Sequence, residues 1–183
     1  MKLKKAAPAG SKNKSGDNSE KNKNALKGLR QSQPLRVEDS ELSWFSTSRC
    51  LHSKLWLVNN KKLEESFLGS LAKYQEKYAV TLYAFVIMGN HTHDVAKFSK
   101  RNRAAFKRDC NARFADAIKG NNPEHPGGPV FERRYSCEAL PAEEDIEDRF
   151  FYCALRGVSA GLVEHIEDYP GYNSFDDAIH LVS

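Results

Sequence analysis

Cysteine is scarce in this chain, and no two of its cysteines lie close together in the sequence. The four are Cys50, Cys110, Cys137 and Cys153. The absence of a Cys-x-x-Cys pair argues against both a zinc knot and a disulfide framework. Reduced, buried thiols are expected instead, as in a cytoplasmic protein.

Long hydrophobic runs are also lacking. No apolar stretch approaches the roughly 20 residues that span a bilayer, so no membrane contact is expected. The first residues are rich in lysine but contain no apolar segment, which is not the pattern of a secretory signal. A chain of 183 residues suits one domain and a tail.

Charge is divided unevenly along the chain. Residues 1–36 hold ten Lys or Arg and two acidic residues, a net charge of +8, whereas the other 147 residues hold 18 basic and 22 acidic groups, a net of −4. The low hydrophobicity of 1–36 predicts a disordered basic arm, followed by a folded domain over 37–183. Such an arm suits salt-sensitive contact with nucleic acid, and the alternative is a solvated tail.

Hydrophobic periodicity predicts the order β, α, β, β, α, β, α, with an irregular segment after the last helix. Helices are predicted over 61–78, 101–119 and 140–157, and strands over 42–50, 80–88, 91–98 and 130–139. The Gly89-Asn90 break between two adjacent strands indicates a hairpin. This order predicts an α+β fold, a ferredoxin-like, mostly antiparallel sheet with helices packed on it.

Two histidines separated by one residue follow the apolar second strand. Because side chains alternate along an extended chain, His91 and His93 should project to the same side. Two imidazoles on one face can bind a divalent metal and leave its other positions open. The alternative is an ordinary pair of surface or buried histidines.

The third predicted helix carries Tyr152 away from its apolar stripe. That stripe consists of Ile146, Phe150, Cys153 and Gly157. One turn from Tyr152 lie Asp148 and Arg156, both charged, whereas a tyrosine used only for packing belongs on the apolar side. Tyr152 is therefore a candidate catalytic residue, and an ordinary exposed tyrosine is the alternative.

Positive charge is concentrated in and around the second predicted helix. The residues are Lys97, Lys100, Arg101, Arg103, Lys107, Arg108 and Arg113. Arg133 and Arg134 add two more charges between Phe131 and Tyr135. Such surfaces suit a phosphate backbone, and the neighbouring aromatic rings suit unpaired bases. We expect Arg101, Arg103, Lys107 and Arg108 to carry most of the salt dependence, unless the helix is only a solvated face.

Four segments together resemble the small single-domain tyrosine transposases, in particular the REP-associated group. They are MGNHTH at 88–93, GPVFERRY at 128–135, YCALRGVSAGLV at 152–163 and DYPGYNS at 168–174. The family patterns are MPNHxH, G-x-(V/L)-W-Q-x-R-Y, YIxxNPVxAGLV and DYPWSS. The resemblance covers about residues 42–175, in the same order and at ordinary family spacing.

The resemblance implies an HUH-type nuclease that acts on single-stranded or hairpin DNA. In that reading His91 and His93 hold Mg²⁺ or Mn²⁺, and Tyr152 is the nucleophile that forms a 5′-phosphotyrosine link and allows strand rejoining. The expected DNA contacts are Lys100, Arg101, Arg103, Lys107, Arg108, Arg133, Arg134 and Arg156. A cytoplasmic, nucleoid-associated monomer or homodimer is expected.

The chain departs from the family pattern at several positions. Gly89 replaces a proline, Asp94 replaces an apolar residue, Glu132 replaces a glutamine, and Arg156-Gly157 replaces Asn-Pro. Arginine cannot ligate a metal but can bind a phosphate. A hairpin-DNA-binding protein that does not cleave is therefore the alternative function, and an RNA-binding ferredoxin-like module is a third.

Overall fold

A computed structural model describes residues 37–58 and 60–180. The predicted arm over 1–36 lies outside the described residues. The strands are β1 (Ser43–Arg49), β2 (Val80–Met88), β3 (His91–Phe98) and β4 (Ser136–Leu140). The helices are α1 (Lys61–Tyr78), α2 (Arg103–Asn121), α3 (Glu143–Ala154), α4 (Arg156–Ser159) and α5 (Ser174–His180), with 3-10 turns at Leu51–Ser53 and Ile166–Asp168.

The four strands of the described chain form one antiparallel sheet in the order β2-β3-β1-β4. The fold-class prediction is confirmed: this is a ferredoxin-like α+β sheet with helices packed on it. The β2–β3 hairpin is also confirmed, and the predicted bounds of α1, β2 and β3 match the structure. None of the helices within the described ranges is long and apolar enough to cross a bilayer.

Helices α1 and α2 cover one face of the sheet. Their contact centres on Phe67 and Phe114, whose rings stack with centroids 3.9 Å apart. A buried ion pair between Asp94 of β3 and Lys107 of α2 joins this helix to the sheet. The guanidinium of Arg103 lies 3.4 Å from the centre of the Trp44 ring. Helix α2 is thus fastened to the sheet by charged side chains as well as by apolar ones.

Helix α3 covers part of the opposite face. A second apolar cluster forms there, in which Val86, Val95 and Cys153 are buried, while Phe45 and Tyr152 are partly buried. The two faces are distinct because side chains alternate along each strand. Asp94 therefore contacts α2 while its neighbour His93 belongs to the α3 side.

The prediction of a strand over 130–139 was wrong in its first half. Only Phe131 forms an isolated bridge, to Cys50, and the regular strand begins at Ser136. The Leu51 amide donates to the Val130 carbonyl, and the Glu132 amide donates to the Arg49 carbonyl. This segment therefore pairs with the end of β1 in a register shifted by two residues from that of β4, and the chain bends between the two pairings.

The predicted third helix is divided, and the segment after it is not irregular. Helix α3 ends at Ala154, and α4 follows after Leu155. Residues 169–174, named here the trailing segment, lie along β2 and lead into α5. The Ile87 amide donates to the Tyr172 carbonyl at 2.9 Å, and the Tyr169 hydroxyl donates to the Ile87 carbonyl at 2.8 Å. Backbone groups of β2 hold this segment in place, and no local sequence pattern indicates such a partner.

Candidate active site

His91 and His93 lie at the start of β3 on the sheet face that α3 covers. Both side chains are buried, at 5 % and 4 % exposure. The ring centroids are 4.6 Å apart. In register, Arg49 lies opposite His91 on β1, and Thr47 lies opposite His93. The alternation expected from the sequence therefore brings the two imidazoles together.

The turn before His91 is held by backbone contacts. The Asn90 carbonyl accepts from the Cys50 amide at 2.8 Å, and the Gly89 carbonyl accepts from the Leu57 amide at 3.1 Å. A Cβ at position 89 would lie 3.0 Å from Val58 Cγ2. Glycine stands at this position because the 55–58 segment packs closely against the turn.

The Nδ1 atoms of the two histidines are hydrogen-bonded, and their Nε2 atoms are not. His91 Nδ1 lies 2.5 Å from Asn90 Oδ1, and His93 Nδ1 lies 2.8 Å from Thr47 Oγ1. Both Nε2 atoms are buried without a hydrogen-bond partner among the described residues. Since an amide oxygen only accepts, His91 carries its proton on Nδ1 and has a lone pair on Nε2. A ring with one nitrogen hydrogen-bonded and the other left with a lone pair is typical of metal-binding histidines.

Burial and nearby positive charge keep both imidazoles neutral. Burial, with Arg49 and Arg156 adding to it, lowers the pKa of His91 to about 4. Burial, with His91 and Arg156 adding to it, lowers the pKa of His93 to about 3. At neutral pH both rings are therefore uncharged, which is the form that ligates a metal. The orphaned Nε2 atoms fit a divalent cation.

The described residues contain no group of three His, Cys, Asp or Glu arranged to hold a metal. The protein therefore offers a cation two imidazole nitrogens at this place. Mg²⁺ and Mn²⁺ commonly keep several water or phosphate ligands beside a few protein groups. A two-histidine site would leave most coordination positions to substrate and water.

Tyr152 lies next to His93. Their ring centroids are 5.6 Å apart, and Phe45 contacts both rings at 5.1 Å from His93 and 5.6 Å from Tyr152. The apolar-stripe argument predicted that Tyr152 faces away from the core, and this was wrong. Tyr152 is partly buried against the sheet, and it is Phe151, 51 % exposed, that faces outward. Tyr152 and the histidine pair thus share one face of the sheet.

Two arginines flank the Tyr152 ring. The Cζ atom of Arg156 lies 5.4 Å from the ring centroid, and that of Arg149 lies 5.6 Å from it. Arg149 also forms an ion pair with Glu138 at 2.8 Å. The Nε atom of Arg156 is buried and unpaired within the part of the chain that the structure describes. Arg156 is therefore placed to bind an anion beside the tyrosine.

Sequence reasoning missed Arg149 and Arg49. Arg149 stands three residues before Tyr152, a helical spacing that could have drawn attention to it. Arg49 comes beside His91 only through the register of β1 and β3, for which the sequence holds no direct signal. Both place positive charge next to the predicted metal and nucleophile residues.

Gly157 is explained by the trailing segment. A Cβ at this position would lie 2.7 Å from Cδ2 of Tyr169. Asn173, which is buried, donates from Nδ2 to the Ala154 carbonyl at 2.9 Å. These contacts hold the end of α3 in a fixed direction and so orient the turn that carries Arg156.

The predicted DNA contacts do not form one surface. Arg133 and Arg134 are exposed and line a cavity of about 280 Å³, whose other lining residues are Thr47, Arg49, Glu132 and Ser136. Lys100, Arg101 and Arg108 are exposed on or just before α2, which packs on the other face of the sheet. Helix α2 contacts the Asp94 side of β3, whereas the histidines lie on the opposite face.

Arg103 and Lys107 are not available as surface contacts. They are 2 % and 3 % exposed. Arg103 packs on Trp44, and Lys107 pairs with Asp94. Their predicted role in DNA binding is contradicted by this burial, since a phosphate cannot reach either charged group without unpacking α2.

No family model matches this chain, and no curated protein matches it by sequence. Its fold is similar to that of a REP-associated tyrosine transposase bound to a REP hairpin, with a TM-score of 0.68 and 16 % identity over 82 % of this chain and 86 % of that one. This likeness shows a shared fold.

Two weaker structural likenesses accompany it. One is a Deinococcus radiodurans protein provisionally classed as a transposase (TM-score 0.45, 14 % identity, 66 % of this chain and 94 % of that one). The other is a tRNA(His) guanylyltransferase from Saccharomyces cerevisiae (TM-score 0.46, 14 % identity, 72 % of this chain and 63 % of that one). Both scores lie below 0.5, so neither informs the function of this chain.

Proposed function

We propose that this protein nicks and rejoins single-stranded or hairpin DNA, with Tyr152 as the nucleophile and His91 and His93 as ligands of Mg²⁺ or Mn²⁺. One observation carries the proposal. Two neutral imidazoles with unpartnered Nε2 atoms lie beside a tyrosine ring, 5.6 Å between the centroids of His93 and Tyr152. The fold shared with a transposase bound to a REP hairpin supports it.

In the proposed reaction, each residue has a role that follows from its chemistry. A divalent cation held by His91 and His93 would polarise the scissile phosphate and offset charge on its oxygens. Tyr152 attacks phosphorus through its Oη atom and loses the phenol proton to water. The bond from phosphorus to the 3′ oxygen breaks, and that oxygen takes up a proton to leave as a 3′-hydroxyl.

The covalent link on Tyr152 keeps the energy of the phosphodiester. A second 3′-hydroxyl can attack the same phosphorus, which frees Tyr152 and joins the strands without a nucleotide cofactor. Arg156 and Arg149 both lie next to the ring, where guanidinium groups can bind the phosphate being transferred. Charge-assisted contacts of this kind fix the phosphate in line with the attacking oxygen.

The substrate is proposed to run past the arginine-lined cavity. Three arginines, Arg49, Arg133 and Arg134, line that cavity together with one carboxylate, Glu132, and its 280 Å³ suits one or two phosphate groups. Positive charge here tracks a backbone and does not read a base sequence. A folded hairpin would bring its single-stranded end to the histidine pair.

A covalent adduct tests this function directly. The protein is incubated with hairpin DNA and Mn²⁺, and a denaturing gel reveals any protein–DNA species. An adduct is expected from the wild type and is absent from Tyr152→Phe. Tyr74→Phe is the matched control, because Tyr74 is a partly buried tyrosine of α1 on the other face of the sheet. Its adduct should equal that of the wild type.

A hairpin-binding protein that does not cleave is the second candidate, and Arg156 favours it. A positive charge near the histidines opposes a cation, and no third acidic or histidine ligand accompanies the pair in the described ranges. Tight hairpin binding without an adduct under any divalent metal would support this second function. Competition by the same hairpin made of RNA distinguishes a DNA from an RNA module.

A further inference from the structure

A second cavity opens directly beside the candidate active site, on the β2 side of β3. Its volume is about 450 Å³, within the range of roughly 300–1,000 Å³ typical of small-molecule sites. One wall is the 55–58 segment, and the opposite wall is formed by the 160–162 and 169–171 stretches. This cavity is distinct from the arginine-lined one, which lies toward β1 and β4.

The cavity is apolar, and two of its side chains are unusually exposed. Leu55 is 67 % exposed and Leu162 is 59 % exposed, and both line the cavity. Exposed apolar surface grouped around a concavity indicates a site of contact with another molecule. Gly89 contributes by its size, because a Cβ there would lie 3.2 Å from Leu55 Cδ2. Because Gly89 has no side chain, Leu55 can pack against the turn that precedes His91.

One end of the same cavity is formed by His91 and Arg156. A molecule bound at the His91 Nε2 atom therefore has the apolar cavity as its immediate neighbour. Arg156 adds a buried Nε atom with no hydrogen-bond partner in the portion of the chain described. The required occupant is flat or compact, largely apolar, and attached to an anion. A nucleotide has this character, since the ring faces of its base are apolar and its phosphate is an anion.

We infer that this cavity takes the unpaired nucleobase next to the phosphate that is cut, with Arg156 bound to a phosphate of that nucleotide. The inference rests on the proposed function and adds to it the position and chemistry of a base-binding site. It also gives a path for the strand. The base enters between Leu55 and Leu162. The backbone of the strand then continues toward β1 and β4, where Arg49, Arg133 and Arg134 lie.

The test compares bases at constant phosphate charge. The full-length protein first selects a DNA hairpin from a pool with randomised single-stranded flanks. Each flank nucleotide of that hairpin is then replaced in turn by an abasic residue, and dissociation constants are measured in EDTA so that no cleavage occurs. One position is expected to weaken wild-type binding about tenfold, because base contacts with side chains contribute roughly that much.

Variants connect that position to the cavity. Leu55→Gln with Leu162→Gln should bind the intact hairpin about tenfold more weakly and lose the effect of the abasic residue. Leu155→Gln is the matched control, since Leu155 is an exposed leucine (44 %) that does not line this cavity. Equal binding by the double variant and the wild type, or a wild type insensitive to every abasic residue, would overturn the inference.

The two proposals fail in different ways. An intact hairpin that forms the Tyr152 adduct, yet shows no base dependence in EDTA, removes only the base site. A hairpin that shows the expected base dependence in EDTA, yet forms no adduct with Mn²⁺, leaves the base site in place and removes the cleavage function. The wild-type abasic series needs no substitution, so its result holds even if the double variant folds poorly.

Discussion

Arg156 acts on both the histidines and the tyrosine of the candidate site. Its charge helps to lower the pKa of both His91 and His93, and its guanidinium contacts the Tyr152 ring. The transposases that the sequence resembles have asparagine at this place. A guanidinium opposes a cation on the histidines but binds a phosphate well. Under the proposed function, Arg156 would therefore lower the affinity for metal and raise the affinity for DNA.

Arg156→Asn is expected to tighten Mn²⁺ binding about fivefold. Removal of one neighbouring positive charge relieves roughly 1 kcal/mol of repulsion. A titration followed by the electron paramagnetic resonance of free Mn²⁺ measures the change. Arg113→Asn, at an exposed position of α2 paired with Asp116, should leave the affinity unaltered. Equal affinities for the Arg156 variant and the wild type would show that this charge does not act on the metal.

Stability should fall in mild acid because of the two histidines. In the folded protein, burial lowers the pKa of His91 to about 4 and of His93 to about 3. In the unfolded chain both titrate near 6.5. Between those values the unfolded state binds more protons, so the stabilisation present above pH ~6.5 is lost as the pH falls toward 4 and 3.

Urea unfolding at pH 7 and at pH 5 measures this loss. Each histidine contributes at most about 1.4 kcal/mol per pH unit in the window. A variant with His91→Gln and His93→Gln should lose less stability between the two pH values. His165→Gln replaces an exposed histidine and should behave as the wild type does. The same loss in the double variant would contradict the assignment of the acid sensitivity to this pair.

At the scale of elements, the trailing segment 169–174 determines where the chain goes after α3. Its contacts reach β2 through Tyr169 and the end of α3 through Asn173. Gly157 lies under the Tyr169 ring with no room for a Cβ. The helix that carries Tyr152 is therefore supported by a segment that follows it in the sequence and lies along β2.

Gly157→Ala should destabilise the protein by about 1–3 kcal/mol. The added Cβ would lie 2.7 Å from Tyr169, so the ring must move, at a cost typical of overpacking. Gly69→Ala is the matched change in α1, where nothing lies within 4 Å of the new Cβ. That change should stabilise the protein by about 0.5–1 kcal/mol. Thermal unfolding of both variants measures the pair, and a stabilising Gly157→Ala would contradict the described packing.

Local sequence patterns sufficed for some elements and not for others. Helix α1 and the β2–β3 hairpin carry their own signals, in apolar spacing and in the Gly89-Asn90 turn. The pair His91 and His93 follows from strand alternation alone. The bend before β4 and the trailing segment depend on partners far along the chain, such as Cys50 and Ile87. Arg49 enters the site for the same reason, through strand register.

At the scale of the whole described domain, the two faces of the sheet carry different groups. One face packs α1 and α2 and buries Arg103 and Lys107. The other carries the histidines, Tyr152 and the cavities beside them. The number of basic residues in the sequence of α2 therefore overstates how many of them DNA can contact. The arginines of the 133–134 bend, though fewer, lie nearer to the proposed chemistry.

The salt dependence of hairpin binding tests this division. Arg133→Gln with Arg134→Gln should reduce the slope of log affinity against log salt by about 1.4, since each single-strand phosphate contact contributes roughly 0.7. Arg108→Gln with Arg113→Gln removes two exposed charges from α2 and should change the slope little. Binding measured from 50 to 300 mM salt gives both slopes. A larger change of slope for the Arg108 and Arg113 variant than for the Arg133 and Arg134 variant would indicate that α2 is the DNA-binding surface.

The most direct measurement is the mass of one peptide. Trypsin cleaves after Arg149 and Arg156, and the fragment Phe150–Arg156 contains Tyr152 as its single tyrosine. After incubation with hairpin DNA and Mn²⁺ and digestion by nuclease and trypsin, this fragment should carry the added mass of a nucleotide 5′-phosphate. An unmodified fragment, in protein that binds the hairpin tightly and retains its fold, would contradict the proposed nucleophile.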